Sequence, residues 1–377
     1  MNSRERLLKV LNGEMPDHVP VAPDTSNMIP ARLTGKPFWD LYLYQDPPIW
    51  KAYIDCVKYF GFDSLMDGYV QIIFEDMGDI DHEKEEVIVF RNEDRIVTQK
   101  YRVSNNTKVW DNTVDVFYRD NPPTNGVNPA SIGLPSTPES YEPIEGRRQW
   151  PSGEELLKLV KQEMGDHGLV GVKCGTSLLL RNEQEIFDFY DNPEKFYDKR
   201  ERLLDYYTKR FEKLISLEVK PDFICTGGSG TLVYQTPQIF RELALPIVQK
   251  ITALCRNFGI PSHVNSCGPE KELVKIMAEE TDLTVIDPLE IPPMGNCDLK
   301  ELKKLYGSKL VLKGNLHTTN IMLNGSVQDV IEASKRAIDD AAGGGRFILS
   351  TGDQCGRDTP DENIFAMIET AKTYGRY

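Results

Sequence analysis

Several signals of familiar protein classes are missing from this 377-residue sequence. No run of 18 or more apolar residues occurs, so a membrane-spanning helix is not expected. The first residues, Met-Asn-Ser-Arg-Glu-Arg, carry charges of both signs, whereas a signal peptide has a basic and then an apolar stretch. These absences predict a cytoplasmic protein without a membrane partner.

Cysteine is sparse, with seven in the chain at irregular spacing and no Cys-x-x-Cys pair. An odd number without a regular frame is typical of reduced thiols in a cytosolic protein and not of disulfides. Any metal site must therefore be assembled from segments that are distant in the sequence. Walker, Gly-x-Gly-x-x-Gly and ordered Ser-His-Asp patterns are also absent, so none of these motifs assigns a function.

Positive charge is scarce as well. The chain has 44 Lys and Arg against 58 Asp and Glu, which gives a formal net charge of -14. Nucleic acids and anionic membranes are bound by clustered cations, so neither is an expected partner. What the chain does contain is ordinary for a globular protein, because 40% hydrophobic residues are enough to bury a sizeable core.

Short apolar runs alternate with helical patterns along most of the chain. Eight runs lie at 19–23, 62–66, 169–174, 222–225, 260–264, 283–286, 310–313 and 346–350. Helical patterns lie near 3–12, 46–60, 154–165, 193–217, 237–258, 270–280, 298–306, 326–342 and 361–374. Eight strands that are each followed by a helix predict an α/β protein with a TIM-type (β/α)8 barrel. An open doubly wound sheet is the alternative.

One segment between the second and third predicted strands departs from this rhythm. Apolar and polar residues alternate from Glu86 to Val103 on both sides of a polar Asn-Glu-Asp turn, which is the pattern of an antiparallel β-hairpin. Residues 119–152 then hold many Pro, Asn, Ser and Gly. We predict a single domain over residues 1–377, with an insertion at 76–152 that forms a flap over the site or contacts a partner.

Residues with catalytic or metal-binding side chains follow the predicted strands. The carboxyl ends of barrel strands meet on one face, so these side chains are expected to lie near one another. A lone cysteine there is more often a small buried apolar residue, but several on one face favour a metal, and thiolate with imidazole or carboxylate suits zinc. These residues are Asp24, Asp67, Cys174, Cys225, His263, Cys267, Glu290, His317, Asp353 and Cys355.

His263 and Cys267 look like a ligand pair, but strand geometry argues against it. Four residues of extended strand separate them by about 13 Å, whereas zinc ligands lie about 2.0 to 2.3 Å from the ion. Cys267, at the end of its strand, is the better candidate, and Glu290 and Cys355 follow other strands and complete the predicted metal site. His263 is either a fourth ligand through a bulge or a hydrogen-bonded core histidine, and Cys225 is a reserve ligand.

Motifs near both ends of the chain carry a family resemblance. The opening Arg4-Glu-Arg-Leu-Leu-Lys-Val-Leu-Asn-Gly-Glu-Met-Pro-Asp-His-Val-Pro20 and the segments Gly314-Asn315, Gly343-Gly-Gly-Arg-Phe-Ile-Leu-Ser350 and Thr359-Pro-Asp-Glu-Asn363 are similar to signatures of the uroporphyrinogen decarboxylase superfamily. This superfamily also contains zinc-dependent corrinoid methyltransferases. The resemblance spans nearly the whole chain.

The two branches of that superfamily differ in their motifs. Decarboxylases carry Arg-Gln-Ala-Gly-Arg after the first strand, and residues 22–32 lack this arginine clamp. The methyltransferase branch typically has His-x-Cys-Gly after the fifth strand and a cysteine in Ser-Pro-Gly-Cys after the eighth. Cys267 matches the first of these cysteines, whereas Asn265 replaces the histidine and Asp353 the second cysteine. These departures favour Glu290 as the third ligand.

The resemblance implies a zinc methyltransferase that passes a methyl group between a small substrate and the cobalt of a separate corrinoid protein. Zinc would polarise the oxygen of a methyl ether or lower the pKa of a bound thiol. We favour a methyl ether, as in an anaerobic O-demethylase system, because aromatic residues near the first two strands could line a pocket. The alternatives are a tetrapyrrole decarboxylase, a methylcobalamin:thiol methyltransferase and a non-catalytic binding protein.

These expectations assign roles to particular residues. An exposed histidine titrates in the range useful for proton transfer, and ordinary core packing is the competing interpretation for the aromatic residues. The catalytic candidates are Asp24, Tyr69 and His317; the substrate-contact candidates are Asn27, Phe38, Trp39, Phe74 and Asn315; the metal candidates are Cys267, Glu290, Cys355 and His263.

Overall fold

The computed structural model describes residues 1–78 and 83–377. Unit 1, the larger of two compact units, comprises Met1–Thr25, Val57–Ile72 and Leu157–Tyr377. Unit 2 comprises Ser26–Cys56 and Ile73–Leu156. The predicted insertion, residues 76–152, falls within unit 2, and its residues 79–82 lie outside the described residues. A single domain over the whole chain stays a prediction.

Helices and strands alternate along the described chain. The helices are α1 (Ser3–Leu11), α2 (Met28–Thr34), α3 (Phe38–Tyr42), α4 (Ile49–Phe60), α5 (Gly153–Met164), α6 (Glu183–Asp191), α7 (Pro193–Ser216), α8 (Thr231–Tyr234), α9 (Pro237–Leu243), α10 (Leu245–Asn257), α11 (Lys271–Glu280), α12 (Leu299–Tyr306), α13 (Val327–Ala341) and α14 (Asp361–Tyr374). The strands are β1 (Lys84–Arg91), β2 (Arg95–Ser104), β3 (Thr107–Tyr118), β4 (Thr124–Val127), β5 (Glu142–Pro143), β6 (Gly171–Lys173), β7 (Phe223–Cys225), β8 (Ser262–Asn265), β9 (Val285–Asp287), β10 (Val311–Leu316) and β11 (Phe347–Thr351). Three short 3₁₀ turns and a π-helical turn (Thr318–Leu323) complete the assignment.

Unit 1 is an α/β structure built on a parallel sheet, as predicted. Strands β6 to β11 are hydrogen-bonded in chain order, and each pair is parallel. These six strands coincide with the last six apolar runs of the sequence. Such runs are nearly continuous in apolar residues because helices cover a parallel sheet and leave its strands buried on both faces; all six residues of β10 are buried.

The first two apolar runs are not regular strands. The first run makes one bridge to the sheet, and so does a residue four positions past the end of the second run. Val21 pairs with Leu349 of β11, and Val70 pairs with Val172 of β6. The two runs are also joined to each other, because the Asp63 N–H donates to the Val21 carbonyl at 2.7 Å. Both edges of the six-stranded sheet are therefore in contact with chain from the amino-terminal region.

The helices begin and end close to the predicted positions. Helix α13, for example, begins after Ser326, whose hydroxyl and the Asp329 carboxylate form a capping box. The pattern over 237–258 is an exception, because it forms the two helices α9 and α10. Pro246 explains the break, since proline has no N–H to bond to the carbonyl four residues earlier and its ring clashes with it. No helix of the described chain combines the length and the apolar character needed to cross a bilayer.

A hydrophobic cluster fills unit 1 at the amino-terminal side of the parallel strands. Helix α1 contributes Leu7, Val10 and Leu11, and the sheet contributes residues such as Phe223 and Val285. Each such side chain stabilises the fold by about 1.5 to 3 kcal/mol relative to exposure. Helix α1 therefore covers one end of the sheet, which leaves the carboxyl ends of the strands for the polar residues described below.

Unit 2 contains a five-stranded antiparallel sheet in the order β4-β3-β2-β1-β5. Strands β1 and β2 form the predicted hairpin around residues 92–94. Strand β3 was not predicted, although its signal is present. Asn105 and Asn106 have φ angles of 51° and 58°, as a two-residue type I′ turn requires, and alternating residues follow them. A capping role for this segment stays a prediction.

Candidate metal centre

Three potential ligand atoms converge at the carboxyl ends of the parallel strands. Cys267 follows β8, Glu290 follows β9 and Asp353 follows β11. The Cys267 Sγ and one carboxylate oxygen each of Glu290 and Asp353 all lie within 4.8 Å of one another. Across residues 1–78 and 83–377, this is the one group of three or more His, Cys, Asp or Glu side chains with that arrangement.

The backbone in and beside this group has positive φ angles at three residues and supplies one hydrogen bond to a ligand side chain. The Gly268 N–H donates to Glu290 Oε2 at 2.5 Å, and Gly268 has φ +103°, a value that favours glycine. Leu289 has φ +61° and Asp353 has φ +154°. Such conformations cost about 1 to 3 kcal/mol each and concentrate at functional sites. The strain at Asp353 and at the residue before Glu290 points to a functional constraint.

The Cys267 side chain has one further contact. Its Sγ lies 2.7 Å from the hydroxyl of Ser229, in the glycine-rich loop after β7. This bond lowers the pKa of the thiol, but burial raises it more, and the neighbouring Asp353, Glu290 and Glu270 add to the rise. Ser229 was not singled out from the sequence, because nothing in the chain relates it to a residue 38 positions later.

The two carboxyl groups are similarly resistant to ionisation. Burial raises the pKa of Glu290, and the charge of Asp353 raises it further. Burial also raises the pKa of Asp353, with Asp287 as a Coulombic cause. A cation between these three acidic groups would favour ionisation of all of them, because an opposite charge stabilises the ionised form.

The donor set fits a zinc ion. Bonds of about 2.0 to 2.3 Å in a tetrahedron place ligand atoms about 3.3 to 3.8 Å apart. The three atoms lie within 4.8 Å of one another, so any pair has to close by at most about 1 to 1.5 Å, which side-chain rotation can supply. One thiolate with two carboxylates leaves the fourth tetrahedral position open, which is the pattern of catalytic and not of structural zinc sites.

One predicted ligand, Cys355, lies outside the group of three atoms. Asp353, two residues before it, is the member of the group that follows β11. The Cys355 N–H donates to the Asp24 carbonyl at 2.8 Å, and burial raises the pKa of its thiol to about 12, with the charge of Asp24 as a further cause. The chain turns at Asp353, so this residue and not the cysteine two positions later reaches Glu290.

His263 is also absent from the group. It is fully buried, its Nε2 lies 2.7 Å from Asp287 Oδ1, and its Nδ1 lies 3.2 Å from Cys225 Sγ. Both ring nitrogens therefore have partners in the protein interior, which is the environment of a core histidine. Cys225 is buried in the same contact.

Asn315 and His317 lie beside the metal-ligand group. Together with Glu290 they line one depression, and both also line an adjoining cavity of about 380 Å³. The His317 Nδ1 accepts the N–H groups of Thr319 and Asn320 at 3.2 and 3.1 Å. A ring nitrogen that accepts two hydrogen bonds carries no proton, so the ring proton is on Nε2.

The other two catalytic candidates lie outside the group of three. The Asp24 N–H donates to the Thr351 hydroxyl at 3.0 Å, which ties Asp24 to the strand that precedes Asp353. Burial raises the pKa of the Tyr69 phenol, with Asp222 and Asp67 as further causes. A phenol in that environment donates a hydrogen bond more readily than it releases a proton.

Four of the substrate-contact candidates belong to unit 2. The Asn27 amide donates to the Tyr42 hydroxyl at 2.7 Å. Phe38 is buried in one hydrophobic cluster of this unit, and Trp39 packs against another. This packing is the ordinary structural role of aromatic residues. A substrate contact by Phe38, Trp39 or Phe74 stays a prediction.

A parallel α/β sheet with clustered ligand atoms at its strand ends defines the class: an α/β protein with a candidate catalytic metal site. The sequence matches the uroporphyrinogen decarboxylase (URO-D) family over residues 186–374, just over half of its length. The chain belongs to this family.

Individual relatives agree with that assignment. Over 137 residues the chain is 28% identical to the protein named methylcobamide:CoM methyltransferase MtbA of Methanosarcina acetivorans, and 26% identical to the protein of that name from Methanosarcina mazei. Each match covers 36% of this chain and 37% of the relative, so the chain spans little more than a third of these relatives' length. A solved methyltransferase from Methanosarcina mazei matches 99% of both chains with a TM-score of 0.60 at 16% identity, a likeness of fold.

Proposed function

We propose that this protein is a corrinoid-dependent methyltransferase with a zinc ion held by Cys267, Glu290 and Asp353. The observation that carries the proposal is the convergence of these three ligand atoms within 4.8 Å at the carboxyl ends of parallel strands. The names of the Methanosarcina relatives, which specify methylcobamide, support a corrinoid as the methyl carrier. A separate corrinoid protein is the proposed partner, as the resemblance to the corrinoid methyltransferases implies.

We infer further that the parallel sheet closes into an eight-stranded barrel. The first amino-terminal run and the segment after the second bridge opposite edges of the sheet through Val21 and Val70, and the two runs bond to each other through Asp63. These contacts support closure, and the likeness to the solved methyltransferase agrees with it. In a closed barrel all eight strand ends would surround one mouth, where the corrinoid and the substrate could meet.

The proposed substrate is a small methyl ether. Bound zinc would act as a Lewis acid on the ether oxygen. The cavity beside Glu290 would hold the substrate, with Asn315 as a polar contact. His317 would donate a hydrogen bond to the substrate from Nε2, because its Nδ1 is already bonded to backbone N–H groups.

The ligand set supports an oxygen substrate. A site with two carboxylates and one thiolate offers harder donors than the histidine and two cysteines of the methyltransferase branch that the sequence resembles. Carboxylates donate less charge than thiolates, so the ion would keep more of its ability to polarise an oxygen atom. Methyl transfer to a thiol is the second candidate, because the relatives' names specify CoM.

The discriminating experiment begins with the zinc content of the purified protein. The protein is then incubated with cob(I)alamin and a panel of methoxylated aromatics, and in parallel methylcobalamin is incubated with a panel of thiols. Visible absorption reports the gain or loss of methylcobalamin. Gain with an ether supports the proposal, and loss with a thiol alone favours the second candidate. Protein that takes up no zinc and transfers no methyl group would refute both.

A decarboxylase is the remaining enzymatic alternative. The chain lacks the arginine clamp expected after the first strand, and the protein has a net charge of -14. Both features oppose a substrate with many carboxylates. Decarboxylation of a porphyrinogen without added metal would contradict the methyltransferase proposal. The proposed roles of residues 76–152 as a flap and of Asn27 as a substrate contact can be assessed in the same assays.

A further inference from the structure

A continuous set of buried polar contacts crosses four neighbouring strands of unit 1. Cys225 of β7 contacts His263 of β8, His263 contacts Asp287 of β9, and the second oxygen of Asp287 accepts a bond from Lys313 Nζ of β10. None of these four side chains is more than 5% exposed. A fully buried lysine and aspartate within the core of a parallel sheet require an explanation.

Stability alone does not explain the choice of these residues. Desolvating two charges costs several kcal/mol per ion, and apolar replacements of similar volume are often neutral or stabilising. Lys313 also faces Asp24 and Asp67 as well as Asp287, so one cation balances several acids in this region. A buried ion pair that offers little net stability can still fix one arrangement of the strands.

Asp287 connects the two segments that carry ligands of the metal group. Its carbonyl accepts the N–H of Ser266, the residue before Cys267, at 2.9 Å. Its carboxylate holds His263, four residues before Cys267, and Asp287 itself lies three residues before Glu290. A shift of Asp287 would therefore move the ends of β8 and β9 relative to each other.

We propose that Asp287 is a positioning residue for the metal centre, with His263 and Lys313 fixing its carboxylate. The ion pair of Asp287 and Lys313 sets the separation of Cys267 and Glu290, and thereby the affinity of the site for the ion. This inference rests on the metal site of the proposed function, and it is independent of which substrate is methylated. Partners behind the direct ligands commonly change metal affinity by about 10- to 100-fold.

The test is a titration of the full-length protein with Co²⁺ and Zn²⁺. Cobalt reports geometry through its visible bands and its thiolate charge-transfer band. Asp287→Asn alone removes the carboxylate that is bonded to the buried Lys313 and could unfold the protein, so the double variant Asp287→Asn/Lys313→Met removes both charges together. We expect about 10- to 100-fold weaker binding in the double variant and altered cobalt bands, whereas Lys313→Arg retains the affinity.

Asp222→Asn is the matched control. Asp222 is likewise a buried aspartate with two cationic partners, Arg4 and Lys161, but it lies at the amino end of β7. This variant should bind metal like the wild type even if it is less stable. Equal affinity and spectra in the wild type and in the Asp287→Asn/Lys313→Met variant would overturn the inference while leaving the metal site intact. Wild-type protein that binds neither ion would refute the metal site itself.

Discussion

The two ends of the parallel sheet differ in how the charge of their acidic side chains is balanced. At the amino end the acids with buried side chains, Asp63 and Asp222, are matched with cations. Arg6 bonds Asp63 at 2.5 Å, and Arg4 bonds Asp222 at 2.7 Å. Burial opposes the ionisation of Asp222, but its bonds to Arg4 and Lys161 lower its pKa. Charge at this end is balanced within the protein.

At the carboxyl end the balance is missing. Cys267, Glu290 and Asp353 converge, and burial raises the pKa of each, with repulsion by nearby acids as a further cause. Lys313 is close by, but its ammonium group is bonded to Asp287. Acids that are clustered and held in strained backbone conformations mark a site arranged for a ligand and not for the stability of the chain. The comparison separates a structural end from a functional end.

The largest expected effect tests the functional end. Replacing Cys267 with alanine removes a proposed ligand, so we expect zinc affinity to fall by more than about 100-fold, beyond the usual effect of outer partners, and methyl transfer to cease. Cys355→Ala is the matched control, since Cys355 also follows a strand of the parallel sheet but lies outside the group. Zinc content and turnover measure both variants. Loss of zinc in Cys355→Ala with retention in Cys267→Ala would contradict the assignment.

The second prediction tests the structural end. Arg6→Met leaves Asp63, which is 4% exposed, without its cation. Breaking a buried pair by removing one partner costs about 3 to 5 kcal/mol, so the free energy of unfolding should fall by that amount. Denaturant titration measures this change, and zinc affinity at a temperature where the variant is folded should remain at the wild-type value. A large change in affinity would mean that the two ends are coupled.

Much of this comparison was accessible from sequence, for identifiable reasons. Apolar runs and helical periodicity depend on local burial, so they located the strands β6 to β11 and most helices. Cys267 and Glu290 are predicted as ligands because each follows a strand, whereas strand spacing makes His263 a weaker candidate that is either a fourth ligand or a core histidine. The absence of His263 from the group agrees with that argument.

The remainder depended on geometry that no local pattern encodes. The choice between Asp353 and Cys355 is made by a single turn with φ +154° at Asp353, and alignment with the family's second cysteine was the one available hint. The bond between Asp287 and Lys313 joins residues 26 positions apart on neighbouring strands. Lys313 is the last residue of the apolar run 310–313. A charged residue in that position is a signal of a buried charge.

A third prediction concerns acid. Burial opposes ionisation of Asp287, but Lys313 and His263 lower its pKa to about 2. A carboxyl whose pKa is lower in the folded state stabilises the protein above its unfolded pKa, and this contribution is lost as the pH falls through the folded value. The free energy of unfolding should thus fall between about pH 4 and pH 2, by about 2 to 3 kcal/mol for this residue. The Asp287→Asn/Lys313→Met variant should show a correspondingly shallower fall in urea titrations, and parallel curves would contradict the prediction.

The smallest expected effect is an increase in the free energy of unfolding, whereas the Arg6→Met substitution reduces it. It distinguishes the two ends of the sheet most directly. In metal-free protein, Glu290 repels Asp353, so Glu290→Gln should slightly raise the free energy of unfolding near neutral pH while it lowers zinc affinity. The raised pKa of Glu290 predicts the same sign. A carboxyl with a raised pKa stabilises the folded state at low pH, and this contribution is lost as the pH rises through the folded pKa. Asp63→Asn, the corresponding change at the amino end, should destabilise the protein because it weakens the bond to Arg6. Paired thermal unfolding of the two variants with a chelator present measures both signs, and destabilisation by Glu290→Gln would show that the carboxyl-end acids are structural.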